Sequence, residues 1–296
     1  MKIWNNYYLA ESIEDALAMS STAPGSTRFI AGGTDLLLDL QQGRQNPLDT
    51  LIDVTNIPEM TLLEIRQERL FIGAAVPLYQ VVESPLVQVH AQAVYEACSL
   101  IGGPQVRNTA TLGGNVAHAL PAADGTIALL AMDAQASIVG MNGERQLHMG
   151  ELFLGPGRST LEENHELLLG FSLPLKNGRQ ASTHRRIMRP QGVAIAILNM
   201  AIWLQRTDQE IEDIHIAVGP AGPTPFRAIN TESVLRGQVY GPDIIHMAME
   251  TLLAEARFRT SPHRATEQYR RHMAGVLLHQ AVEIAWNRAS SDDAKA

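Results

Sequence analysis

Two glycine pairs carry the residue types that could grip an oxyanion. One lies in Ile30-Ala31-Gly32-Gly33-Thr34-Asp35 and the other in Thr111-Leu112-Gly113-Gly114-Asn115-Val116. Glycine has no Cβ, so it reaches positive φ cheaply and lets a second backbone or a ligand come close. Successive N–H groups in such turns form a concave nest for an anion, and flanking Thr and Asn side chains add donors. Two turns from distant parts of one chain can take the two phosphates of a dinucleotide. Taken singly, each is equally an ordinary glycine turn. Three further residues stand near the second pair. Arg107 suits a phosphate or a carboxylate, or ties down its own loop. Asn115 donates to a phosphate or satisfies local backbone. Asp124, in Pro121-Ala122-Ala123-Asp124-Gly125-Thr126, accepts from a ribose or caps a helix, and the two roles are compatible.

Several chemistries are excluded or disfavoured. Neither turn is G-x-G-x-x-G, and the chain has no phosphate-binding lysine loop and no H-E-x-x-H. His118, His148, His165 and His184 stand singly and read as surface or loop residues. His263, His272 and His279 read as solvated residues on or near a C-terminal helix. The one cysteine, Cys98, rules out an internal disulfide and a cysteine-ligated iron–sulfur cluster in this chain. It fits a reducing cytoplasm, the expected location. A net charge of -8 argues against nucleic-acid binding. No apolar run approaches the roughly 20 residues of a membrane span, and the first residues lack the apolar segment of a secretion signal.

The elements that must position these residues can be read from periodicity. Ser12 caps a helix with Glu14 and Asp15 in its first turn. Arg28 to Ala31 is a strand entering the first glycine pair, Leu36, Leu37 and Leu40 mark a short helix capped by Thr34 or Asp35, and Thr50 to Val54 is a strand. The spacing is that of a βαβ unit. Leu62–Ile65 and Leu70–Gly73 pair as strands, Pro77 opens a helix, and Val87–Ile101 is read as one more. Gly102 to Ala123 is read as irregular, which in a compact domain points to function. Asp124 starts a helix to Ala131, and Met141-Asn142-Gly143 turns a hairpin. The polar stretch Lys176–Gln180 is the expected domain boundary. Strands at 193–204 and 211–218 follow, then helices at 232–236, 242–255 and 266–288, and a polar tail.

Taken in order, these pieces resemble the FAD-binding (medium) subunit of the molybdenum hydroxylases, the xanthine dehydrogenase and carbon monoxide dehydrogenase family. The resemblance rests on Tyr7-Tyr8 with Glu14-Asp15-Ala16, Ala31-Gly32-Gly33-Thr34-Asp35-Leu36 and Leu51-Ile52-Asp53-Val54. It continues through Gln105-Val106-Arg107-Asn108, Thr111-Leu112-Gly113-Gly114-Asn115, Pro121-Ala122-Ala123-Asp124, Gly155-Pro156-Gly157-Arg158 and Glu166-Leu167-Leu168. It implies an α+β, vanillyl-alcohol-oxidase-like (PCMH-type) FAD-binding fold. Two α/β subdomains, 1–56 and 57–176, would precede a C-terminal domain of antiparallel sheet and helices, 180–288, and a tail, 289–296.

By that resemblance Ala31 to Thr34 and Thr111 to Asn115 bind the FAD pyrophosphate, with Ile30, Asp35, Arg107 and Ala123 beside them. Asp124 holds the ribose or nearby polar groups. Leu168 packs near the isoalloxazine, and Arg185 falls where many relatives carry a flavin-side Lys. The segment Thr183-His184-Arg185-Arg186-Ile187-Met188-Arg189 departs from the family pattern, and a frequent downstream Asp aligns near Val193. These departures leave the flavin-side contacts and the electron acceptor open. The resemblance further implies partners: a large subunit with a molybdenum cofactor and a small subunit with 2Fe-2S clusters, in a dimer of heterotrimers. Electrons would pass through FAD to NAD+ or another acceptor. It assigns no general acid or base to this chain. The alternatives are a free-standing FAD-dependent oxidoreductase and a flavin-less assembly subunit.

Overall fold

The computed structural model describes residues 2–189 and 195–289; Val193 and the tail beyond Ala289 lie outside the described residues. Three α/β units follow one another, each around its own sheet.

The first unit is a parallel three-stranded sheet. It contains β1 (Trp4–Leu9), α1 (Ile13–Thr22), β2 (Thr27–Ile30), α2 (Leu36–Gln41) and β3 (Leu48–Asp53). The strand order is β1-β3-β2, with Asn6 and Thr27 both level with Thr50, and Ile30 level with Asp53. Both connections are helical, as parallel pairing requires. Ser12 caps α1 by accepting from the Asp15 N–H at 3.1 Å. Ala16, Leu17, Ile52 and Val54 join the main core of the molecule. Ile30, Leu40, Leu48 and Leu51 form a small separate cluster beneath α2.

The second unit is an antiparallel five-stranded sheet with helices. Its elements are β4 (Leu63–Arg66), β5 (Arg69–Gly73), α3 (Leu78–Glu83), α4 (Pro85–His90), α5 (Gln92–Leu100), α6 (Pro104–Arg107), α7 (Leu112–Ala117) and α8 (Asp124–Ala131). They continue with β6 (Gln135–Gly140), β7 (Gly143–His148), β8 (Phe153–Gly155), β9 (Arg158–Ser159) and β10 (Glu166–Pro174). The sheet order is β4-β5-β10-β6-β7. Two expectations change here. The single helix read over Val87–Ile101 is broken at Ala91, whose φ of -138° and ψ of 54° are not helical. The stretch read as irregular, 102–123, contains α6 and α7. Every residue of α8 is buried, so it is the central helix of this unit.

The third unit holds β11 (Gln180–Ile187), β12 (Leu198–Arg206), β13 (Glu210–Gly219), β14 (Phe226–Arg227), α9 (Ile229–Leu235), β15 (Gln238–Val239), α10 (Pro242–Glu255) and α11 (Glu267–Ala289). The antiparallel order is β11-β12-β13-β14, with β15 on the far end of β13. Its second core joins Leu198, Met200, Ile202 and Leu204 of β12 to Leu277, Leu278, Val282 and Trp286 of α11. The other face of the sheet is turned to α8: Ala201 and Ala217 belong to the main core. Strand β11 was not expected, and it occupies most of the segment that departs from the family pattern.

Candidate functional site

The first glycine pair meets the approach to the second, at Thr109 and Ala110. A cleft of about 270 Å³ is lined by Ala31 and Gly32 of the first turn and by Asn108, Thr109 and Thr111 of the approach to the second, with Thr55 and Gln80 at its sides. The meeting requires glycine. A Cβ on Gly32 would lie 2.1 Å from the Thr109 carbonyl oxygen and 2.7 Å from the Ala110 Cα. Gly33 has a φ of +65°, which lets the chain leave β2 and enter α2. The second turn is fixed from below. Ala110 O accepts from the Leu78 N–H at 2.8 Å, and the Gly113 N–H donates to Ala74 O at 3.0 Å. A Cβ on Gly113 would strike Ala74, whereas one on Gly114 would meet only the Thr111 hydroxyl, at 3.2 Å. Gly113 is therefore a packing glycine. Gly114 is exposed and faces open space.

The donors in and around this cleft are unequal. Among the described residues, the N–H groups of Ala31 to Asp35 meet no protein acceptor. Such a run of free amides suits an oxyanion. Asp35 does not cap α2 with its side chain, contrary to expectation. Its carboxylate lies 3.5 Å from His118 Nδ1 and ties the first turn to the end of α7. The His118 hydrogen bond holds the Asp35 carboxyl below its ordinary range, and the same bond raises the His118 imidazole above its own. In the second turn, Thr111 caps α7 by accepting from the Gly114 N–H at 3.0 Å. Asn115 Oδ1 accepts from the Thr126 N–H at 3.2 Å, leaving the two Nδ2 hydrogens outside that bond. A dinucleotide pyrophosphate fits this donor set: free amides on one wall, a side-chain amide near the other, and no side chain at Gly114.

Other expected site residues are placed differently. Arg107 turns back on its own loop: Nη1 donates to Gly102 O at 2.8 Å and Ile101 O at 3.3 Å. Of its two readings, the loop tie is the one the fold builds. Ala123 is the residue preceding α8, and its carbonyl accepts from the Ile127 N–H at 3.0 Å. Leu168 is buried in β10 beside a register shift, and Arg185 lies on β11 level with Met200. Neither lines the cleft between the turns. Thr34 and Ile30 flank the first turn, with Ile30 packed under Gly33.

Asp124 is held by polar groups of its own chain. It is only 6% exposed and opens α8 without capping it. One oxygen accepts from Arg186 Nη1 at 2.7 Å, and the other accepts from Asn199 Nδ2 at 2.7 Å and lies 3.3 Å from His184 Nε2. Burial alone pushes this carboxyl up, but the His184, Arg186 and Asn199 contacts outweigh burial and hold it below its ordinary value. The polar groups that Asp124 holds in the folded chain link the second and third units. His184, read as a surface residue, is 1% exposed. A second link runs parallel to the first: Glu96 of α5 accepts from the Thr183 hydroxyl at 2.8 Å and the His184 N–H at 2.7 Å, and pairs with Arg288 of α11 at 2.6 Å. Arg186, Asn199 and Glu96 were missed in the sequence. Had β11 been recognised, alternation would have put His184 and Arg186 on one face.

Comparison with known proteins agrees with this architecture. Residues 2–176 match the family described as the FAD binding domain in molybdopterin dehydrogenase, and residues 183–285 match the CO dehydrogenase flavoprotein C-terminal domain. The chain belongs to this family: it is an FAD-binding, oxidoreductase-type medium subunit of the molybdenum hydroxylases. It is 27% identical to a putative xanthine dehydrogenase FAD-binding subunit of Escherichia coli, over 95% of both chains. It is 30% identical to the nicotine 6-hydroxylase medium subunit of Paenarthrobacter nicotinovorans, over 95% of this chain and 97% of that one. Among solved structures, carbon monoxide dehydrogenase from Hydrogenophaga pseudoflava superposes with a TM-score of 0.92 at 27% identity, covering 97% of this chain and 99% of the other. Among the described residues, no helix is long and apolar enough to cross a membrane, and no cluster of ligating side chains could hold a metal ion.

Proposed function

We propose that this chain carries FAD as the electron-transfer subunit of a heteromeric molybdenum hydroxylase. It would receive electrons from 2Fe-2S centres of a small partner subunit, and substrate would react at the molybdenum cofactor of a large one. Reoxidation would be by NAD+ or another acceptor, and the assembly a dimer of heterotrimers in the cytoplasm. The observation that supports this reading is a run of amides from Ala31 to Asp35 that meets no acceptor among the described residues, and that opens with Ala31 and Gly32 lining the same cleft as Thr109 and Thr111.

Bound FAD supplies the change between two-electron and one-electron transfer, which no side chain can perform. The chain's own residues hold and orient. The Ala31–Asp35 amides donate to the pyrophosphate, Asn115 Nδ2 adds a donor, and Gly114 leaves room for the phosphate to approach. Leu168 and Arg185 are proposed as flavin-side residues, the first as an apolar wall and the second as a cation near the ring. Asp124 and Glu96 hold β11, and with it Arg185, in register with the second unit. The relatives act on chemically different compounds, as their names state. That difference suits a carrier subunit, with the substrate bound on another polypeptide.

The test is the visible spectrum of the chain purified with its co-purifying partners, with the released cofactor identified. FAD together with iron–sulfur absorption from a smaller subunit is the expected result. FAD on a chain that turns over a small substrate alone would overturn the electron-transfer assignment. Absence of flavin after incubation with FAD would overturn the cofactor assignment itself.

A further inference from the structure

A buried arginine far along the chain lacks a counter-charge among the described residues. Arg270, in the first turns of α11, is 1% exposed, and its Nε and Nη1 have no hydrogen-bond partner. It is the largest fully buried side chain among the described residues. Burying a guanidinium without an anion is among the costliest arrangements a fold can contain, so such groups are paired in native proteins. Here no carboxylate lies within 4.0 Å of Arg270, Arg264 or Arg259 among the described residues.

The surroundings add positive charge. Arg259 and Arg264 are exposed on the segment between α10 and α11, where Ser261 and Ala265 pair in a single bridge. Arg189, just past β11, donates to the His263 carbonyl and anchors this segment to the strand that carries Arg185. Burial, and then the charges of Arg264 and Arg259, depress the Arg270 guanidinium below its ordinary value. Two exposed guanidinia thus stand on the segment that leads into the helix of the buried one, in a chain whose net charge is -8. A single carboxylate brings one negative charge. A phosphate brings up to two, with several oxygens that match guanidinium forks.

We propose that Arg270, with Arg264 and Arg259, forms a binding site for a phosphate group of a small ligand. The chemistry is that of inorganic phosphate or of a phosphate ester, and none of these residues lines the glycine cleft. Arg270 is the specific anchor, and the two outer arginines raise the local anion concentration and complete the charge.

The test uses the full chain in its purified complex, with the flavin site saturated by FAD. Thermal stability is measured against inorganic phosphate, with chloride at matched ionic strength, for the parent, Arg270→Met and Arg264→Gln. A ligand that binds only the folded state raises the transition temperature in proportion to its occupancy. The parent should gain stability saturably with phosphate and not with chloride. Arg264→Gln should keep the parent's stability without phosphate and bind phosphate roughly tenfold more weakly, the loss of one charge-assisted contact. Arg270→Met should lose the phosphate response. Because the buried charge is unpaired, that variant should be no less stable than the parent when phosphate is absent. Equal responses to phosphate and chloride would overturn the proposal. So would a phosphate response retained in Arg270→Met, or a response seen in the isolated chain and lost in the complex, where a partner's carboxylate would then fill the site.

Discussion

Replacing Gly32 with alanine tests whether the two glycine turns work as one cradle. The new Cβ would sit 2.1 Å from the Thr109 carbonyl oxygen and 2.7 Å from the Ala110 Cα, where ordinary contacts begin at 3.4 Å. Both obstacles are backbone, so they cannot rotate away. The turn and the 109–110 segment must part by more than an ångström. Overpacking of this kind costs about 1–3 kcal/mol. The displaced segment carries the Ala110 carbonyl that accepts from the Leu78 N–H at 2.8 Å, a bond worth about 1 kcal/mol. A loss of about 2–4 kcal/mol is expected, which lowers Tm by roughly 3–6 °C for a chain of this size. Separating the two donor walls also costs at least one charge-assisted bond to the pyrophosphate, so FAD should bind roughly tenfold more weakly or worse. Gly114→Ala is the control, because its Cβ meets only a rotatable hydroxyl at 3.2 Å, and alanine is favoured over glycine in a helix by about 1 kcal/mol. Calorimetry and the flavin-to-protein ratio read both effects. A Gly32→Ala protein with unchanged Tm and full flavin would refute the close approach of the two turns and the shared cradle built on it.

Three further outcomes are expected. Gly114→Leu should keep the Tm of the flavin-free parent, within a few degrees, and lose most of its FAD, measured by absorbance after gel filtration; retained flavin would remove Gly114 from the phosphate approach. Asp124→Ala should cost about 3–5 kcal/mol in urea unfolding, because it leaves Arg186 and His184 buried against a missing charge; a loss below about 1 kcal/mol would show that the link between units is not structural. The His118–Asp35 pair makes stability depend on pH. The His118 pKa is raised, so its contribution is complete below its ordinary 6.5 and fades as pH rises through the shifted value; the Asp35 pKa is lowered, so its contribution is complete above its ordinary 3.8 and fades as pH falls through its own. Asp39 adds to the field at His118. Stability of the parent over His118→Gln should therefore be greatest between about pH 4 and 6.5 and shrink above pH 7; a constant difference across pH 5 to 9 would dismiss the pair.

The sequence made the glycine turns legible because their residue types are rare outside special backbone geometry. It also made legible the elements whose apolar residues repeat cleanly. α10 spans Pro242–Glu255 as its periodicity predicts, and the β6–β7 hairpin turns at Met141-Asn142, with Gly143 paired to Gly140. What it concealed has physical causes. The helices α6 and α7 are four and six residues long, and α7 contains two glycines, so neither offers a periodic pattern to read. Strand β11 hides because the face it buries is polar: Ser182, His184 and Arg186 point into the seam, so no alternation of apolar and polar residues marks it. The same polarity made His184 look like a surface residue. Asp124 was recognised as important from its position, but its partners lie 60 to 75 residues away on β11 and β12, a distance that local pattern cannot span.

That seam also acts as a check on strand alignment. Arg186 and Asn199 are level with each other across β11 and β12, and both grip the single carboxylate of Asp124. A slip of one residue would turn every side chain of β11 to the opposite face. Thr183 and Arg185 would then meet α8, while His184 and Arg186 would face α11. An apolar face tolerates many near-equivalent packings, but one carboxylate with three named partners accepts a single register. The third unit is thus docked by recognition, as an inhibitor is by its enzyme, and the strand that bears Arg185 arrives in one alignment or does not dock at all.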